Sequence, residues 1–227
     1  MPVSDEAMRA DQHGRRQAIG AGIGNEAKRS RDSSGILETY ADVFAGSVNT
    51  TPDGQPTSSA SHVTLNGDTV DNLETAALDA DGLWTCVSIL AEQKGQNGEV
   101  ASYNPFGILV PFTLYKTLKE TLGSASAPLI PFSGENQLNI FESQYGQVSV
   151  KASVFLNATQ NSATNAATSY HVLSAEHAIA RKAWYGLTTE FVEAKYSDND
   201  THMIKSKYNE ITFPESWYGS VHADGTT

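Results

Sequence analysis

Cysteine is nearly absent from this chain. One cysteine, Cys86, occurs among 227 residues. That excludes an internal disulfide framework and a zinc site built on cysteine. Cys86 stands beside Trp84 and Val87 in a helix-patterned stretch, which reads as a buried, inert thiol rather than a nucleophile. Long apolar runs are missing too. None approaches the roughly 20 residues a membrane helix needs, and the N-terminus carries no apolar signal region. A soluble protein of a reducing compartment, or a particle assembled there, is the expectation, with no membrane partner. Positive charge is scarce: 15 Lys and Arg stand against 26 Asp and Glu, a net charge of -11. A general nucleic-acid binder needs the reverse balance to neutralise phosphates.

Signatures of chemistry are missing as well. There is no P-loop, no nucleophile elbow and no paired-carboxylate site. The text GAGIGNEA at 20–27 has no preceding strand and does not space like GxGxxG. His62 follows Ser58, Ser59 and Ser61, but near neighbours in a strand point to opposite faces, so loop polarity is the reading. Asp198, Asn199 and Asp200 lack the EF-hand spacing and read as a turn. His171, His177 and His202 lack metal-motif spacing and read as ordinary surface or half-buried residues. No catalytic residue, no metal ligand and no cofactor is assigned, and the expectation is that the chain is not an enzyme.

What is present is an uneven charge and a broken pattern of elements. Residues 1–31 hold six basic and four acidic side chains, a balance of +2, so the remainder carries -13. Residues 1–35 show almost no apolar periodicity and read as an extended N-terminal arm. Its Arg15, Arg16, Lys28, Arg29 and Arg31 are candidates to meet DNA or an acidic neighbour. Two extended segments follow, 36–48 with Tyr40, Val43 and Phe44, and 59–70 with Val63 and Leu65. They flank the turn-rich run NTTPDGQPTSS. A lone two-stranded ribbon is marginal in water, so this one is expected to lean on another subunit.

A helix capped by Asp79 carries Leu83, Trp84, Val87, Leu90 and Ala91 at helical spacing and stops near Gly95. The earlier turn 73–78 is expected to extend that helix across a break. Next come a strand at 106–110 and a helix opened by Pro111 and closed by Gly123. Strand material lies at 139–156, a polar loop at 157–168 and a short strand at 170–173. A helical turn is expected at 175–183, then a hairpin of 186–196 with 201–211. Helices and hairpins without βαβ regularity say α+β.

The order of these features resembles tailed-phage major capsid proteins of the Hong Kong 97-type fold, and most nearly Mu-like major head proteins. The residues that carry the resemblance span most of the chain. They are Ile36 to Phe44, Asp53-Gly-Gln-Pro56 through Ser61-His62, Leu78 to Gly98, Phe106 to Pro111 with the helix to Leu122, Asn136 to Asn139 with 148–156, and 184–221. The resemblance implies an N-terminal arm at 1–35 and an extended E-loop ribbon at 36–70. It implies a long spine helix of the peripheral (P) domain within 71–100, an axial (A) domain at 101–182, and a P-domain hairpin and closing strand at 183–227.

It further implies a shell of hexamers and pentamers around phage double-stranded DNA, bound weakly and without sequence preference. Scaffolding, portal and decoration proteins would be the other partners. The place would be the virion, assembled in the bacterial host cytoplasm. Tyr40, Val43, Phe44, Val63 and Leu65 would make the inter-subunit contacts. Some members of the fold cross-link subunits through an E-loop lysine. Residues 35–71 here hold no Lys or Arg, so a non-covalent lattice is expected. Two alternatives stay open: an encapsulin-like compartment, and a small hydrolase or carbohydrate-binding module using the polar loops.

Overall fold

The computed structural model describes residues 2–4, 15–40, 42–46, 49–123, 148–156, 167–194 and 201–225. In chain order the elements are β1 (Pro2–Ser4), α1 (Arg15–Tyr40), β2 (His62–Val63), β3 (Thr69–Val70), β4 (Leu73–Glu74) and α2 (Ala80–Glu92). Then come β5 (Pro105–Pro111), α3 (Tyr115–Gly123), β6 (Ser149–Ser153), β7 (Tyr170–Ser174), β8 (Ile179–Ala194), β9 (Thr201–Pro214) and β10 (Ser220–Ala223). The chain divides into two compact units: Met1–Gly35 with Arg181–Thr212, and Ile36–Ala180 with Phe213–Thr227.

The larger unit is built on a five-stranded mixed sheet, ordered β4-β10-β7-β5-β6. β4 and β10 are parallel, as are β5 and β6; the other two pairs are antiparallel. Strand alternation divides the residues of β7 and β10 between two faces. Tyr170, Val172, Val221 and Ala223 join the core with Leu83, Cys86, Val87 and Leu90 of α2 and Leu118 of α3. His171 and His222 take the opposite face, where the rings of Tyr40 and Phe44 lie over His171.

α2 begins where expected. The Asp79 carboxylate accepts from the Gly82 amide at 2.8 Å, satisfying one orphan donor of the first turn. Gly82 has to be glycine: a Cβ there would meet the Ala77 carbonyl and lie 2.8 Å from Tyr170 Oη. The helix ends at Glu92, before Gly95, because Gln93 leaves the helical conformation. Its side chain then clamps the start of β10. Oε1 accepts from Gly219 N at 2.7 Å and Nε2 donates to Ser220 O at 3.3 Å. Cys86 is fully buried, its Sγ donating towards Tyr170 Oη at 3.8 Å, and burial pushes its thiol up to about 12.

The smaller unit holds β1, β9 and β8 in one sheet, in that order. β1 runs antiparallel to β9, with Pro2 opposite Met203 and Ser4 opposite Thr201. Only six residues join β8 to β9, too few for a parallel crossover, so the hairpin expected from sequence is present and longer than drawn. Its first strand starts at Ile179, which replaces the helical turn expected across 175–183.

Four further expectations are corrected. Residues 15–35, read as an extended arm, are helix. Ala, Arg, Lys and Gln between the glycines are good helix formers. An ion-pair cluster also ties this helix within its unit: Arg31 lies 3.4 Å from Glu210, Glu210 lies 2.6 Å from Arg181, and Arg181 reaches Asp32 at 3.9 Å. Residues 36–70, read as a long ribbon, are the end of α1, a turn at 42–45, and a strand pair of two residues each. Residues 73–74, offered as a helix extension, are strand, and α2 is 13 residues long rather than a long spine. The expected strand start at 139–147 and most of the loop at 157–168 lie outside the described residues.

Candidate functional site

The segment 49–72 is organised by one carboxylate. Asp53 Oδ1 accepts from the Thr51 hydroxyl and, at 3.3 Å, from Gln55 N. Oδ2 accepts from His62 Nδ1 at 2.8 Å and from Val63 N at 3.2 Å. Four donors occupy the carboxylate. Burial alone would raise its pKa; the hydrogen bonds from Thr51, His62 and Val63 outweigh burial and hold it below the usual value. His62 is fully buried, stacks on Trp217 with ring centroids 5.4 Å apart, and points Nε2 at the Thr57 carbonyl, 3.2 Å away. His62 Nε2 is shut off from solvent against that carbonyl, which leaves it no access to a substrate as a general base.

Asn72 fastens this segment to the sheet. Its Nδ2 donates to the carbonyls of Thr57 (2.8 Å) and Trp217 (3.3 Å), and its Oδ1 accepts from Ser59 N at 2.8 Å. The Asn72 carbonyl accepts from His222 N at 3.0 Å. A buried asparagine with this many partners specifies one docking geometry.

A depression of about 460 Å³ opens above the Asp53–His62 centre. Pro52, Asp53, Val63, Leu65, Gln96, Ser216 and Trp217 line it. Val63 is 51% and Leu65 81% exposed. Leu65 is not loose. Thr64 N donates to Asp68 O, Gly67 N to Thr64 O, and Leu65 N to Gln96 O, each at 2.9 Å. Lys94 Nζ sits 3.0 Å from Asp68 Oδ2. An apolar side chain is thus fixed outward on a braced turn, at the rim of an apolar-edged depression.

The second buried polar centre is a pair on the sheet face opposite the α2–α3 core. His171 and His222 are cross-strand partners with Nδ1 atoms 3.0 Å apart. Ser220 donates its hydroxyl proton to the Trp217 carbonyl at 3.1 Å, so it accepts from His222 Nε2 at 3.1 Å. His222 then offers Nδ1 as acceptor, His171 donates from Nδ1, and His171 Nε2 keeps a buried lone pair without a partner. Burial lowers both pKa values: His171 falls from 6.5 to about 3, and His222 falls well below 6.5, with His171 adding to the effect. Both rings are therefore neutral. Sequence reading took His171 for a surface or half-buried residue and His62 for loop polarity; both are fully buried.

The expected contact residues separate into two groups. Val63 and Leu65 are exposed. Val43 is fully buried, while Tyr40 and Phe44 are half-buried over His171. Burial pushes the Tyr40 hydroxyl far above its usual range. Along α1, Arg15 and Arg16 fall in the first turn, Lys28 and Arg29 are exposed, and Arg31 is engaged with Glu210. Among the described residues, no group of three His, Cys, Asp or Glu side chains could hold a metal ion. Among them, too, no helix is long and apolar enough to cross a membrane.

No protein-family model matches the sequence, and no curated protein does. The fold does match solved structures. The capsid of Myoviridae phage XM1 aligns with a TM-score of 0.52 at 12% identity, over 98% of this chain and 70% of that one. The holo-SrpI encapsulin complex from Synechococcus elongatus PCC 7942 gives 0.53 at 11% identity, over 99% and 71%. A structure of Mycobacterium phage Che8 gives 0.50 at 15% identity, over 100% and 69%. The chain has a mixed helix-and-sheet fold of the kind found in phage capsids and in an encapsulin.

Proposed function

We propose that this chain is the building block of a closed protein shell, a phage major capsid protein that assembles as hexamers and pentamers around double-stranded DNA. The observation that carries this reading is the likeness to the XM1 capsid over nearly the whole chain. Fold alone does not specify a function, so a surface feature must agree with it. Val63 and Leu65 supply one: apolar side chains fixed outward on a braced turn suit a contact between copies. Many small contacts summed over a lattice make a stable shell.

In this reading residues 1–35 are the arm, 36–70 correspond to the E-loop, 71–100 with 183–227 to the P domain and 101–182 to the A domain. The lattice is non-covalent, because 35–71 hold no lysine. DNA is bound weakly, with Lys28 and Arg29 exposed cations of α1. Scaffolding, portal and decoration proteins would be its partners, and the virion, assembled in the host cytoplasm, its place.

The likeness to the SrpI encapsulin complex supports a second reading, a compartment shell enclosing protein cargo. A hydrolase is disfavoured, since His62 is fully buried with Nε2 against the Thr57 carbonyl and cannot reach a substrate nucleophile. The test is expression followed by negative-stain microscopy. Closed particles with nuclease-protected DNA support the capsid, particles with co-purifying protein and no DNA support the compartment, and a monomer at all concentrations refutes both. Denaturing electrophoresis of particles should give a single monomer band; a ladder would refute the non-covalent lattice.

A further inference from the structure

The sequence contains Asn-Gly twice, at 66–67 and 97–98, and the fold builds the same turn around each. In the first, Thr64 N donates to Asp68 O and Gly67 N to Thr64 O; in the second, Gly95 N donates to Glu99 O and Gly98 N to Gly95 O, all at 2.9 Å. Each closes on a glycine in the left-handed region, Gly67 at φ +86° and Gly98 at φ +79°, as a short hairpin turn ending in a bulge requires. The two turns lie against each other. Leu65 N donates to Gln96 O at 2.9 Å, and the Asn66 side-chain amide donates to the Asn97 carbonyl.

Asparagine followed by glycine can react with itself in water. The glycine nitrogen bonds to the asparagine Cγ, the Cγ–Nδ2 bond breaks, and ammonia leaves with the proton from that nitrogen. Glycine permits the approach because it has no Cβ to obstruct it and the freest backbone. Water then opens the resulting cyclic imide at either carbonyl, giving aspartate or isoaspartate; isoaspartate adds a methylene to the main chain. Here both attacking nitrogens are tied across their own turns, so each reaction waits for its turn to open. The two asparagine side chains differ. Asn66 has its leaving amide held by the Asn97 carbonyl. Asn97 is exposed, and among the described residues none holds its side-chain amide.

We infer that Asn97 is a site of spontaneous deamidation, that it converts before Asn66, and that its conversion frees Asn66 to follow. Isoaspartate at 97 lengthens the second turn and moves the carbonyl that held the Asn66 amide off the main chain, as a carboxylate. The Gln96 carbonyl, which fixes Leu65 N, belongs to the same turn and loosens with it. The new charge falls beside Glu99 and close to Asp68, whose Oδ2 lies 3.0 Å from where a Cβ on Gly98 would stand. Lys94 is paired with Asp68 and offsets only part of that repulsion. The site stands whether or not the chain forms a shell.

The test is to age the full chain in mildly alkaline buffer and follow both sites by peptide mapping, with isoaspartate scored by an isoaspartate-specific methyltransferase. In initial rate Asn66 should lag Asn97 by about fivefold, the weight of a single hydrogen bond. In urea, where neither turn exists, the two should convert at similar rates. Asn97→Gln sits at an exposed position, and its longer side chain closes the imide poorly. It should abolish the first event and delay Asn66. Hydrogen exchange at the Leu65 amide should quicken as the parent ages and stay constant in the Asn97→Gln chain. Asn66 converting first, or in step with Asn97 in the folded chain, overturns the inference. So does an Asn66 time course that Asn97→Gln leaves unchanged.

Discussion

His62 and the His171–His222 pair are buried to the same degree, yet their surroundings are opposite. His62 has a carboxylate at 2.8 Å and a carbonyl at 3.2 Å. The His171–His222 pair have each other, Ser220 and aromatic rings. Burial is tolerated in the first case because the polar atoms are matched, and in the second because the rings stay neutral. Complete burial of a titratable group therefore identifies neither a site nor a defect. What it does to the molecule depends on the partners.

Breaking the matched centre should have the largest effect. Asp53→Ala strands four donors, and the loss of stability should be about 3–5 kcal/mol, read by urea titration at pH 7. Acid should break the unmatched one next. Below pH 6.5 the unfolded chain protonates its histidines while folded His171 does not until about pH 3. Stability is therefore complete above 6.5 and falls as pH drops. His171 alone should remove roughly 2 kcal/mol between pH 7 and 5.

Asp53 works in a separate window. Its pKa is lowered, so its contribution is complete above 3.8 and is lost only as pH falls below that. A stability curve flat from pH 7 to 5 would refute the neutral pair. His171→Leu with His222→Leu should flatten that curve and change stability at pH 7 by about 1.5 kcal/mol or less. The smallest effect is expected in α1. Gly20, Gly22 and Gly24 have nothing within 4 Å of where a Cβ would stand. Gly22→Ala should stabilise the helix by up to about 1 kcal/mol, read as helical circular dichroism on heating.

Periodicity and turn chemistry made much of the larger unit legible. The Asp79 cap, the α2 stripe, strand 106–110 and the Pro111–Gly123 helix all follow from local rules, and each is present. Trp84 shows the limit: it lies on the predicted stripe yet is 40% exposed. Helix α1 was illegible because its stabilising partners, Glu210 and Arg181, are some 150 residues or more away in sequence. The segment 36–70 was misread for the same reason. Val43 and His62 look like ribbon residues until the Ser58 amide bonds the Val43 carbonyl and Trp217 supplies a stacking face for the His62 ring. Asp53 and His62 were visible as part of a turn motif, but their nine-residue separation gave no hint of direct contact.

Cys86 gives the molecule a built-in clock. Its thiol is sealed beneath Tyr170 and reluctant to ionise, so an alkylating or disulfide reagent has nothing to attack while the core is shut. The rate at which such a reagent modifies the native chain counts the openings of its interior. Any assembly that clamps the larger unit should slow that count, without a probe having to be added.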